Sequence, residues 1–319
     1  MRYPFEGAEK SILEFEEVLN ANGISIESNS DLERVSLLVL EANGKGKKEI
    51  PHDNKQDIRP FFADVAGIHD FTRKVVKHKN HSDFSQLIPH LRILNKANTT
   101  VMTSRSLVSD DGNNKLMELY IALLCMDFAT NIKLDDPNNS KGDNADIMFR
   151  FRNITYAIAC KAMHSRNPKT LHDALLKGTS QIMSCASERG LVAVNFKNLI
   201  DWDEIWPITN KAEVENHNAE PLFGCFPDVS VPNKILEQFG TKARTDLIET
   251  LGLDNLRNLE TEKSPAAFLI FLQALTSIQD GMDCPPTILK TMHFVSFNGV
   301  AKLDLEVAEK LNEAMHDQL

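Results

Sequence analysis

This sequence predicts an α/β fold, a mixed sheet held between helices, on three observations. Two alternating apolar runs, ADIMFRF and ITYAIACK, meet at Arg152-Asn153 as the arms of a β-hairpin do. From residue 113 to 196 the segments read helix, three strands, helix, strand, so one strand is reached through a helical crossover and lies parallel to its neighbour. Helical periodicity dominates on either side, over 1–110 and 211–319.

In SILEFEEVLNANG, Ile12, Leu13, Phe15, Val18 and Leu19 recur near the helical period, and Asn22-Gly23 supplies a stop. ERVSLLVLEANG suits helix or strand. DIRPFFADVAGIHDFTRKVVKHK and DFSQLIPHLRILNKA read as helices, and SLVSDDGNN as a loop. NKLMELYIALLCMDFA is apolar on nearly every side, which predicts a helix buried in mid-domain, with Glu118 as the charge that interrupts its first turns. A strand TNIKL (130–134), a polar loop DDPNNSKGDN, hairpin strands 145–151 and 154–161, a break at SRNP, a helix from about 169 to 186 and a strand GLVAVNF (190–196) follow. In the tail, NKILEQF, ARTDLIETLG, SPAAFLIFLQALTSIQ and LDLEVAEKLNEAM read as helices and TMHFVSF as a strand. The expected division is 1–110, mostly helical; 111–210, the α/β core; and 211–319, a mostly helical extension.

With 319 residues and 42% hydrophobic content, the chain can bury a sizeable core. It has no uncharged apolar run of about 18 residues, and MRYPFEGAEK lacks the regions of a secretory signal, so a cytoplasmic location without a membrane is expected. Cys125, Cys160, Cys185, Cys225 and Cys284 are scattered without CxxC spacing, which reads as free thiols rather than a zinc cluster or disulfide framework. The net charge of −10 is unevenly spread: seven Lys/Arg face two acids between Asp70 and Arg105, and six face Asp173 alone between Arg150 and Lys177. Such stretches suit a solvated helix face or contacts to phosphates.

If Arg152-Asn153 is a two-residue turn, residue 151 faces 154 and Asp146 faces Ala159. Lys161 then shares a face with Ala159 and lies diagonal to Asp146. Buried acids are costly unless paired or metal-bound. An Asp146–Lys161 ion pair, with Glu118 bonded to backbone, would satisfy them structurally.

Glu118 on a helix, Asp146 on a strand, the triplet Ala159-Cys160-Lys161 on the next strand, and a helix carrying Lys177 and Gln181 together resemble the PD-(D/E)xK nuclease superfamily, the restriction-endonuclease-like fold. The resemblance covers about 112–197, with Ala145-Asp146 in place of Pro-Asp. It implies an αβββαβ core and a DNA phosphodiesterase using Mg²⁺ or Mn²⁺, with RNA not excluded. Asp146 and Glu118 would ligate the metal; Lys161 and Gln181 would complete the catalytic set. Ala159 departs from the pattern, standing where the superfamily has its second metal-binding acid. One hard oxygen ligand is missing, so this chain is expected to be inactive as written. Retention of Glu118, Asp146, Lys161 and Gln181 fits an introduced Glu→Ala substitution better than a decayed pseudo-enzyme. The alternative is a non-catalytic nucleic-acid-binding or scaffold subunit.

His164, Ser165 and Arg166, just past Lys161, together with Lys177, are candidate phosphate contacts. His78 and His81 could hold a metal, although loop histidines in a basic stretch are ordinarily solvated. Cys160 should point away from the Asp146/Lys161 face, and no GxSxG, GxxxxGK[ST] or GxGxxG occurs. A homo-oligomer or partner protein is expected, and a role in defence against foreign DNA suits a nuclease core with unfamiliar flanks.

Overall fold

The computed structural model describes residues 5–44, 57–97, 102–103, 111–138, 144–216, 219–299 and 301–316. Helix α1 (Phe5–Ala21) ends where Gly23 takes φ +66° and Asn22 donates its side-chain amide to the Val18 carbonyl, so the expected stop is a C-cap. The ambiguous stretch at 33–44 is helical, within α2 (Asp31–Gly44). Helix α3 (Arg59–His78) starts with Pro60 in its first turn, and a 3₁₀ turn leads into α4 (Ile88–Leu94). Of the loop expected over SLVSDDGNN, 106–110 lie outside the described residues, and 111–114 instead form the first turn of α5 (Asp111–Cys125). Residues 139–143 of the polar loop likewise lie outside them.

Strands β1 (Thr130–Leu134), β2 (Ile147–Phe151), β3 (Ile154–Ala162) and β4 (Arg189–Asn195), with α6 (Pro168–Ser184) between the last two, follow the expected order. Short helices α7 (Trp202–Ile205) and α8 (Lys211–Glu215) precede α9 (Ser230–Leu251) and α10 (Leu253–Arg257). Strands β5 (Ala267–Ser277) and β6 (Pro286–Ser296) and helix α11 (Lys302–His316) complete the chain. All six strands form one mixed sheet in sequential order, in which β3, β4 and β5 are mutually parallel and the other neighbours antiparallel.

The helix expected over SPAAFLIFLQALTSIQ is corrected to β5. All eleven residues of the strand are buried, and successive side chains alternate between the two cores that cover the sheet's faces: Leu269 and Phe271 on one, Phe268, Ile270 and Leu272 on the other. A strand buried on both faces has no polar alternation to reveal it. The all-thiol expectation is also corrected, because Cys225 and Cys284 form a disulfide that joins the 219–226 segment to the β5–β6 turn; Cys125, Cys160 and Cys185 are free and buried. Among the described residues, no helix is long and apolar enough to cross a membrane.

One core lies beneath α1, α3, α4, α5 and α11, the other beneath α6 and α9. Gly178 permits the close seat of α6 on the sheet: a Cβ there would stand 2.8 Å from both Val192 methyl groups. Much of the basic charge over 70–105 is spent internally. Lys74 donates to the Ala314 carbonyl at 2.9 Å, and Lys77 pairs with Asp127 at 2.6 Å. Burial pushes the Lys74 ammonium down to about 8.

Candidate active site

The hairpin turn sets the site's register. Arg152 and Asn153 both take positive φ, 48° and 66°, as a two-residue type I′ turn requires, and the ladder runs from Phe151 opposite Ile154 to Ile147 opposite Ile158. Continued by one residue, that register sets Asp146 beside Ala159. There β2 leaves the ladder, and Asp146 turns its Oδ2 to accept the Cys160 backbone N–H at 2.6 Å. Among the described residues its other oxygen accepts no hydrogen bond.

Lys161 lies 3.9 Å from that Oδ2 and donates to Gln181 Oε1 at 2.5 Å and to the Cys160 carbonyl at 3.0 Å. Gln181 in turn donates to the Asn144 carbonyl at 2.9 Å, which fastens α6 to the start of β2. Two of the three Lys161 protons are therefore committed, and at 3.9 Å the ammonium balances Asp146 without hydrogen-bonding to it. Cys160 faces the opposite core, as its register demands, and burial pushes its thiol well above the ordinary range.

Glu118 reaches the same strand end from α5. It is nearly fully buried, and its carboxylate is held by Lys115 at 2.8 Å to each oxygen and by His90 Nε2 at 2.8 Å from Oε2. Among the described residues the buried His90 Nδ1 has no hydrogen-bond partner, so the ring's one polar contact there is the Glu118 carboxylate at Nε2. The first turn of α5 is pinned to β3 by Asn114, which accepts the Ala162 N–H at 2.9 Å. Burial first, and the nearby Glu118 second, raise the Asp146 carboxyl to about 6 against the opposing effect of Lys161. Asp135, just past β1, donates its N–H to the Asp146 carbonyl at 2.9 Å, and among the described residues its own buried Oδ2 has no partner.

The five residues expected to form the site, Glu118, Asp146, Ala159, Lys161 and Gln181, thus meet at one end of the sheet. His90, Lys115 and Asp135 were missed. His90 and Lys115 lay in stretches read only for helical period, although Lys115 precedes Glu118 by three residues, a helical pairing distance. The proposed phosphate contacts stand apart. His164 faces the Asn198 amide at 3.4 Å, and Ser165 Oγ accepts the Asn167 N–H at 3.1 Å. Arg166 donates to the Leu199 carbonyl and lies over the Phe239 ring, while Lys177 is exposed on α6. The His78 and His81 rings meet edge to face at 6.2 Å; His78 lies 3.5 Å from Asp127, and His81 Nδ1 accepts the Asp83 N–H.

The donor set can be tested against a divalent cation. A desolvated Asp146 beside Glu118 calls for positive charge, which suits one. The number of oxygens does not: Ala159 is fully buried among apolar residues of α6 and β4 and contributes no ligand, and both Glu118 oxygens already serve Lys115. The chain as written therefore does not fit a tightly held Mg²⁺. Compared with known proteins, the chain matches no family model, no curated protein and no solved structure.

Proposed function

We propose that this chain carries a phosphodiesterase site of the PD-(D/E)xK type, acting on nucleic acid and arrested by Ala159. The observation that carries the reading is the meeting of Asp146, Lys161 and Gln181 at the strand end that holds Ala159, with Glu118 on α5 near enough to act on the Asp146 charge. The meander β1–β2–β3, the crossover through α6 and the parallel β4 also support it, being the element order that the resemblance implies.

Lys161 would orient the attacking water and balance charge on the phosphorane-like transition state. Gln181 and the Cys160 carbonyl hold its ammonium in place, which spares the reorganisation a free lysine would need. Asp146 is a buried acid beside Glu118, an arrangement whose charge a cation would balance.

The test is Ala159→Glu. A glutamate here enters an apolar pocket, so without metal the variant should be less stable by about 1–3 kcal/mol. Mg²⁺ or Mn²⁺ should restore that stability and bring cleavage of DNA or RNA. Adding Lys161→Ala should abolish cleavage and leave the metal-dependent stabilisation. A glutamate form that binds metal and cuts no nucleic acid would instead leave the scaffold reading, which the engagement of Glu118 by His90 and Lys115 favours.

A further inference from the structure

A second feature lies a few residues along the chain from Lys161. Between α6 and α9 lies a cavity of about 260 Å³, walled by Leu171, Phe196 and Phe239. It opens at the carboxyl ends of the parallel strands β3 and β4, and one wall is the segment that continues directly from Lys161 through Ser165 and Arg166. Five residues span at most about 18 Å, so the mouth lies within reach of the next nucleotides of a strand crossing Lys161. The volume falls just under the roughly 300–1,000 Å³ of ordinary ligand pockets, which suits one ring system rather than a long chain.

The charged residues gather at the exposed rim. The Arg166 guanidinium sits 5.1 Å from the Phe239 ring centroid, tethered there by its bond to the Leu199 carbonyl, and so offers the rim a fixed cation. Lys242 adds a second, held 3.3 Å from Asp246. Glu204, Gln238 and Asp246 also line the cavity. Glu204 is exposed and Asp246 half-buried, so both carboxylates stand at the mouth with the cations and can accept hydrogen bonds from a base's amino group there, while the apolar walls favour the base's ring inside and leave its phosphate outside.

We propose that this cavity takes one unpaired base of the strand whose phosphate lies at Lys161, which makes the substrate class single-stranded or locally unpaired nucleic acid. The proposal rests on the nuclease reading above. A base held in a duplex cannot enter a recess between two helices without leaving its stack, whereas a single strand presents its bases freely and stacks them on aromatic rings.

The experiment uses the chain as it stands, in EDTA, titrated by fluorescence anisotropy against labelled oligodeoxycytidylate, whose bases carry an amino group, and against a blunt duplex of equal length. The single strand should bind on the order of tenfold more tightly. Phe239→Ala should lose most of that advantage, and Ala243→Trp, which fills the cavity while keeping its walls, should do the same; neither should change duplex binding. Equal binding of both forms, or single-strand binding indifferent to both variants, overturns the base pocket, and cleavage by the Ala159→Glu form would then leave the nuclease reading standing. Binding of neither form overturns the pocket too, and if the glutamate form also fails to cleave, the nuclease reading falls separately. Displacement of the strand by an apolar peptide with no strand preference would assign the cavity to a protein partner instead.

Discussion

Replacing Asp146 by Asn separates a carboxylate kept for chemistry from one kept for stability. Folding raises this carboxyl from 3.8 to about 6, chiefly through burial and secondly through Glu118. Between those values the folded chain binds more protons than the unfolded chain, so stability falls as pH rises through the window and the loss is complete above about 6. At about 1.4 kcal/mol per pH unit the interval corresponds to about 1–3 kcal/mol. Asn keeps an oxygen for the Cys160 N–H, and Lys161 keeps Gln181 and the Cys160 carbonyl. Asp146→Asn should therefore be more stable than the parent near neutral pH, by about 2–6 °C in Tm, and should flatten the fall in Tm between roughly pH 4 and 6. Thermal melts of both proteins across pH, followed by circular dichroism, make the measurement. A variant that melts lower at neutral pH with an unchanged acid profile would mean that the 3.9 Å pair with Lys161 is a net stabilising ion pair, and the reasoning would fail.

Gly178→Ala would drive a methyl into the stiff Val192 side chain and lift α6 from β4; a loss of about 1–3 kcal/mol in urea melts is expected. His90→Ala should cost about 2–4 kcal/mol through its cavity and the lost partner of Glu118, while His90→Gln, which can still donate, should recover part of it; equal losses in chemical denaturation would show that the hydrogen bond is immaterial. Charge reversal at Lys177, exposed on α6, should weaken nucleic-acid retention and flatten its salt dependence by about one unit of slope or more in gel shifts at graded salt. Unchanged slopes would remove this residue from the binding face.

Local chemistry made the hairpin legible. Arg152-Asn153 between two alternating runs specified a two-residue turn, and a turn of that length leaves a single register, which carries Ala159 and Lys161 to one face and Cys160 to the other. The end of α1 and the start of α6 were equally local, written in Asn22-Gly23 and in Asn167-Pro168, where the Asn167 cap accepts the Lys169 N–H. What reaches across the fold was not legible. His90 meets Glu118 over 28 positions of sequence, Asp135 joins the site through a backbone bond, and Cys225 finds Cys284 across 59 residues. The strand β5 was hidden for a related reason: an eleven-residue apolar run has the length of a helix, and only pairing with β4 on one edge and β6 on the other made it a strand. Periodicity reports which faces are buried, and a segment buried on every face reports nothing. Short-range sterics and turn geometry thus determined the hairpin and its charges, whereas the partners that desolvate and hold those charges were decided by which helices the folded sheet brings together.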